Sequence, residues 1–160
     1  MTARRKTIQQ EIRQSKPFDS VAEEAFIALS RTADVVSQRY EHFLKKWGIS
    51  GTQYNVLRIL RGAGSQGLRC GEIGERMVSH DPDITRLLDR IEKLGWIERA
   101  RDSKDRRVVL TRISRKGLDL LKQIDKPIQD FTRELGQHVS DQRFRLLLEV
   151  LEEIRSRNGE

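Results

Sequence analysis

Most apolar residues of this chain recur with a helical period. The exception is one short region, residues 96–113, rich in residues that favour strands. Residues 1–19 are polar and basic, with Ile8 and Ile12 spaced for a short helix that Lys16-Pro17-Phe18 breaks. Ser20 and Glu23 read as a capping box opening a long helix, whose stripe runs through Ala22, Phe26, Leu29, Ala33, Val36, Tyr40, Phe43, Leu44 and Trp47 before Gly48 ends it. Ser50 and Gln53 form a second box. The helix they open carries Tyr54, Val56, Leu57, Ile59 and Leu60, closes near Gly62, and leaves Gly64, Ser65 and Gly67 as a flexible loop.

From Leu68 to Ser114 the pattern predicts a short apolar start, a small helix from Gly71 to Val78, a break at Ser79–Pro82 and a second helix from Asp83 to Leu94. A strand follows from Trp96 to Arg101, then a charged loop from Asp102 to Arg106 and a return strand from Arg107 to Ile113. In the second helix Ile84, Leu87, Leu88, Ile91 and Leu94 share one narrow face, and Thr85, Arg86, Asp89, Arg90 and Lys93 the other. Pro82 suits a first helical turn, and Asp81 is able to cap. Ser114 caps the next helix, where Pro127 is expected to kink or split the stripe Leu118, Leu121, Ile124, Ile128, Phe131, Leu135. After Gly136 and Ser140 a last helix carries Phe144, Leu147, Leu148, Leu151 and Ile154.

The fold class is therefore mainly α with a small β-hairpin (α+β). A winged helix-turn-helix at residues 49–113 lies between an N-terminal arm and helix, 1–48, and C-terminal helices, 114–160, in one compact domain. Composition adds that 34% of residues are charged, against about 25% in typical domains. Five of the seven net positive charges fall between Trp96 and Lys116, which points to a polyanion as partner. A single cysteine excludes an internal disulfide framework. The absence of a long apolar run or an apolar signal core makes a cytoplasmic protein with no membrane partner the expectation.

The run from Pro82 to Ile97, the loop Asp102 to Val109 and the segment Ile113 to Gly117, with Gln53 to Leu60 upstream, resemble the MarR family of transcriptional regulators. The resemblance implies a homodimer whose N- and C-terminal helices intertwine with a second copy, matching amphipathic faces a small winged helix cannot cover. It implies a palindromic double-stranded DNA operator, a repressor role and release by a small anionic or phenolic effector. Candidate DNA-contacting residues on the second helix are Asp81, Pro82, Asp83, Thr85, Arg86 and Arg90. An arginine there reaches guanine O6 and N7 with a planar fork. The competing role for Arg86 and Arg90 is an exposed row beside Asp89 and Glu92. Asp83 would repel phosphate, so it caps the helix or accepts from a cytosine amine.

In the wing the candidates are Lys104, Arg106 and Arg107, with Asp102 orienting the tip. Family members place an arginine where this chain has Lys104, so either Lys104 or Arg106 takes the minor groove. Dimerisation falls to Phe144, Leu147, Leu148, Leu151 and Ile154. By the same resemblance an effector would lodge near Arg39, Trp47 and Tyr54, although core packing is the plainer role of both aromatics. No nucleophile–base motif or Gly-rich phosphate loop points to catalysis, and His42, His80 and His138 are spaced unlike metal ligands, so no enzyme activity, cofactor or metal is expected. Two alternatives stand beside DNA binding: a winged helix used for protein contacts, and a regulator switched by oxidation of Cys70.

Overall fold

The computed structural model describes residues 6–79, 83–102 and 105–158. They form two compact units that divide between Asn55 and Val56.

In the first unit, Thr7 and Gln10 close a full capping box on α1 (Ile8–Glu11). The hydroxyl of Ser20 accepts from the Glu23 amide at the start of α2 (Val21–Leu44). The expected reciprocal bond goes elsewhere: the Glu23 carboxylate accepts from the amide of Asp19, one residue earlier. A single 3-10 turn (Lys45–Trp47) winds the helix off, and Gly48 closes it with φ at +67°. The Ser50–Gln53 box is complete at the head of α3 (Gly51–Ala63), where Glu41 also accepts from the Gly51 amide at 2.8 Å. Leu44, Ile49 and Tyr54 are buried. Phe26 of the α2 stripe, by contrast, remains 66% exposed, so that stripe is only partly housed.

The second unit takes up the rest of α3, with Val56, Leu57 and Leu60 fully buried. It continues through α4 (Cys70–Glu75), α5 (Ile84–Lys93), β1 (Ile97–Arg101), β2 (Val109–Ile113), α6 (Arg115–Gly136) and α7 (Asp141–Asn158). Its core is Ile73, Leu87, Leu88, Ile91, Ile97, Leu121 and Ile124. Burying each such side chain contributes about 1.5–3 kcal/mol, enough to override the modest propensities of these short elements. β1 and β2 pair antiparallel, from Ile97 opposite Ile113 to Arg101 opposite Val109.

Several expectations are corrected here. Gly64–Gln66 is a 3-10 turn, not a flexible loop, and Arg112 Nε donates to the Ser65 carbonyl at 2.7 Å. Leu68 then exchanges both backbone hydrogen bonds with Thr111, adding a one-residue third rung to the hairpin. α4 ends at Glu75, short of Val78, because the Arg76 and Met77 amides make i→i+3 bonds that unwind it, and its two glycines favour early fraying. β2 begins at Val109, two residues late, because the Val108 amide turns back to the Asp105 carbonyl. α6 runs unbroken through Pro127. The turn ahead of the proline is held by buried Ile124 and by Asp125, whose two carboxylate oxygens accept from Arg61 Nη1 at 2.9 and 2.8 Å. Among the described residues no helix is long and apolar enough to cross a membrane.

Candidate nucleic-acid interface

α5 is fixed to the second unit by its apolar face. Leu87, Leu88 and Ile91 are buried, whereas Ile84 is half-buried and Leu94, at the far end, is 41% exposed. Its N-cap is Asp83, whose carboxylate accepts from the Arg86 amide at 3.3 Å and also meets Arg86 Nε at 3.1 Å. Asp81 and Pro82 lie outside the described residues, as does the break they were read to form.

The opposite face of α5 is open. Thr85, Arg86, Arg90 and Lys93 are exposed, and Arg86, Arg90 and Lys93 line one shallow surface together with Asp83 and Asp89. Arg90 and Lys93 carry no ion pair among the described residues. Arg86 and Arg90 do form an exposed row with Asp89 on the same surface, but neither pairs with Asp89 or Glu92 among the described residues. Arg86 pairs with Asp83, while Asp89 and Glu92 both accept from Arg99 of β1.

The hairpin loop is shaped by its two aspartates. Asp102 accepts from the Asp105 amide at 3.0 Å, Asp105 accepts from the Arg107 amide at 2.9 Å, and the Asp102 amide donates to the Val108 carbonyl. Each of these bonds is donated by a backbone amide. Arg101, Arg106 and Arg107 are exposed with no side-chain hydrogen bond among the described residues; Lys104 lies outside them. At the base of the hairpin, Ser114 Oγ donates to the Gly95 carbonyl at 2.7 Å while accepting from the Gly117 amide. Lys116 Nζ donates to the Leu94 carbonyl at 2.9 Å, placing a cation on the C-terminal end of α5.

Cys70 is half-buried at the start of α4, its Sγ 3.8 Å from Thr85 Oγ1. Trp47 packs against Phe43 and Tyr54 against Tyr40; of these four rings Tyr54 is buried and the others are half-buried. On α7, Phe144, Leu147, Leu148 and Ile154 are between 37% and 55% exposed, and Leu151 is half-buried. Leu146 and Val150 are exposed as well, and the sequence reading missed them because apolar residues on every side of a helix blur its stripe. Among the described residues no group of acidic, His or Cys side chains is placed to hold a metal.

A helix-turn-helix followed by a short antiparallel hairpin with a basic loop defines a winged helix-turn-helix protein. The MarR family model matches residues 49–109, which span α3 through the start of β2. The HTH-type transcriptional regulator MhqR of Bacillus subtilis is 30% identical over 115 residues, covering 72% of this chain and 76% of that protein. The crystal structure of a MarR transcription factor from Planctomyces limnophilus is 33% identical with a TM-score of 0.65, covering 85% of this chain and 98% of the other. The fold is also that of the transcriptional repressor CouR bound to a 23-mer DNA duplex, at 22% identity and a TM-score of 0.75 over 88% of this chain and 99% of that one. The chain belongs to the MarR family: it is a DNA-binding transcriptional regulator and not an enzyme.

Proposed function

We propose that this chain is a cytoplasmic repressor that binds a palindromic operator as a homodimer, with α5 in the major groove and the β1–β2 loop on the minor groove, and that a small effector releases it. The observation that carries this reading is the open cationic face of α5, with Arg86, Arg90 and Lys93, in the same unit as a loop whose Arg106 and Arg107 are exposed and unpaired among the described residues. Arg86 and Arg90 have the reach and the planar donors to read base edges. Thr85, one residue earlier, suits a phosphate or base contact from the first turn. Asp83 caps, which leaves its charge occupied by Arg86 rather than facing phosphate. Arg106 and Arg107, with Lys104, supply the wing's cations on a loop that Asp102 holds in shape.

The exposed apolar residues of α7 support a dimer through Phe144, Leu147, Leu148, Leu151 and Ile154, and a two-fold dimer suits a palindrome. The repressor role is supported by the likeness to CouR, and effector release follows from the family resemblance. The test is to select genomic fragments with the purified protein, then titrate salt against the recovered site and a scrambled duplex. A steep log–log salt dependence with tighter binding to the recovered site is expected. Equal, salt-independent binding to both would overturn the proposal.

A further inference from the structure

Residues 83–93 contain three carboxylates, Asp83, Asp89 and Glu92, and three cations, Arg86, Arg90 and Lys93. Taken with its N-cap, α5 is electrically neutral, an unpromising surface to bring to a polyanion. Asp89 even lines the same shallow surface as the three cations. The imbalance is supplied from outside the helix. Arg99 of β1 sends Nε and Nη2 to the same Glu92 oxygen, at 2.9 and 2.6 Å, and Nη2 also donates to Asp89. Its side chain is 25% exposed, less than either carboxylate it holds. Its backbone is fixed too: Arg99 lies opposite Thr111, the residue that Leu68 bridges from the other side.

We infer that Arg99 is a positioning residue for nucleic-acid binding: it withdraws Asp89 and Glu92 from the field that α5 presents, so that the helix meets DNA as a cation. This rests on the proposed DNA-binding role of α5. The guanidinium is suited to the task because one planar group serves two carboxylates on successive turns, which a lysine ammonium does less well. Its hydrogen bond with Glu92, opposed by burial and aided by Asp89, raises its pKa above the ordinary arginine value, so the cation is permanent. With the N-cap Asp83 held by Arg86, the three acids of residues 83–93 are all answered, and Arg90 and Lys93 are left for the nucleic acid.

The experiment compares wild type, Arg99→Gln, Arg99→Gln/Asp89→Asn/Glu92→Gln and Asp89→Asn/Glu92→Gln. Binding to a random-sequence duplex is followed across about 50–300 mM salt, with a thermal melt of each protein. Arg99→Gln should bind about tenfold more weakly at the lowest salt, with a log–log slope flatter by about 1 per chain. The triple variant should return to within about threefold of wild type, although it regains no ion pair and so no thermal stability. Asp89→Asn/Glu92→Gln, which leaves Arg99 free, should bind more tightly than wild type, and it decides the matter alone if Arg99→Gln fails to fold. A structural clamp predicts the reverse: a triple variant as weak as Arg99→Gln and a double variant weaker than wild type, and that pattern would overturn the inference. Wild-type protein that shows no salt-dependent binding to any duplex would overturn the DNA reading and this inference with it, an outcome visible before any variant is compared.

Discussion

Gly67 presses against the backbone of Thr111: a Cβ on Gly67 would stand 2.8 Å from the Thr111 carbonyl oxygen, and Gly67 holds φ at +72°. Both facts forbid a side chain here, one by collision with backbone that cannot swing away and one by conformation. Gly67→Ala should therefore destabilise the protein by about 1–3 kcal/mol, which a thermal melt would read as a drop of several degrees. An unchanged melting temperature would mean that the Leu68–Thr111 bridge yields easily.

Leu148 is 55% exposed midway along α7, among five other exposed apolar residues of that helix. If these residues meet a second copy, Leu148→Glu places an unpaired charge in the contact and should split the dimer. Light scattering at micromolar concentration should give twice the chain mass for wild type and the single mass for the variant. A monomeric wild type removes the dimer from the proposal.

The helix and the loop should fail differently. Arg86 is 81% exposed on α5; if, as proposed, it reads a base edge, Arg86→Ala should cost about 1–3 kcal/mol on the operator and much less on random DNA. Arg106 is exposed in the loop with no partner among the described residues, so Arg106→Ala should weaken both DNAs and lower the salt slope by about 1 per subunit. A salt titration on operator and scrambled duplexes separates them. Should Arg86→Ala weaken both equally while Arg106→Ala spares the random duplex, the two elements have exchanged roles.

Cys70 faces a hydroxyl, Thr85 Oγ1, at 3.8 Å, and a serine can keep that contact. Cys70→Ser should leave operator affinity unchanged, and peroxide should affect variant and wild type alike. A peroxide-sensitive wild type beside an insensitive variant would favour the redox alternative.

What the sequence discloses is what repeats or what caps. The stripe Leu87, Leu88, Ile91 and the boxes at Ser20 and Ser50 are local patterns, and the helices they predict are present within a residue or a few. Contacts made once, between residues far apart, leave no period to detect. Leu68 reads only as a short apolar start to the helix-turn-helix, yet it bridges to Thr111 across 43 positions of chain. Arg99 reads as one more basic residue of a basic region, and only the fold shows that its charge is spent on Asp89 and Glu92. Asp83 was legible only as one of two roles, a cap or an acceptor from a cytosine amine, because charge alone argues it away from phosphate; the structure makes it the N-cap, in place of Asp81. Pro127 does not split α6, because buried Ile124 and the Arg61–Asp125 pair hold the turn before it against the lost backbone bond and the clash of the ring.

A two-stranded hairpin has two raw edges, and each is a template on which a foreign strand can grow. On β2 the middle of that edge is already occupied, since the Thr111 amide and carbonyl are both bound to Leu68. With five residues in the strand, no uninterrupted stretch remains for an incoming segment to copy. The protein can thus hold out a β-hairpin by its basic tip while that side of it is sealed against the sheet-by-sheet aggregation that exposed hairpins invite.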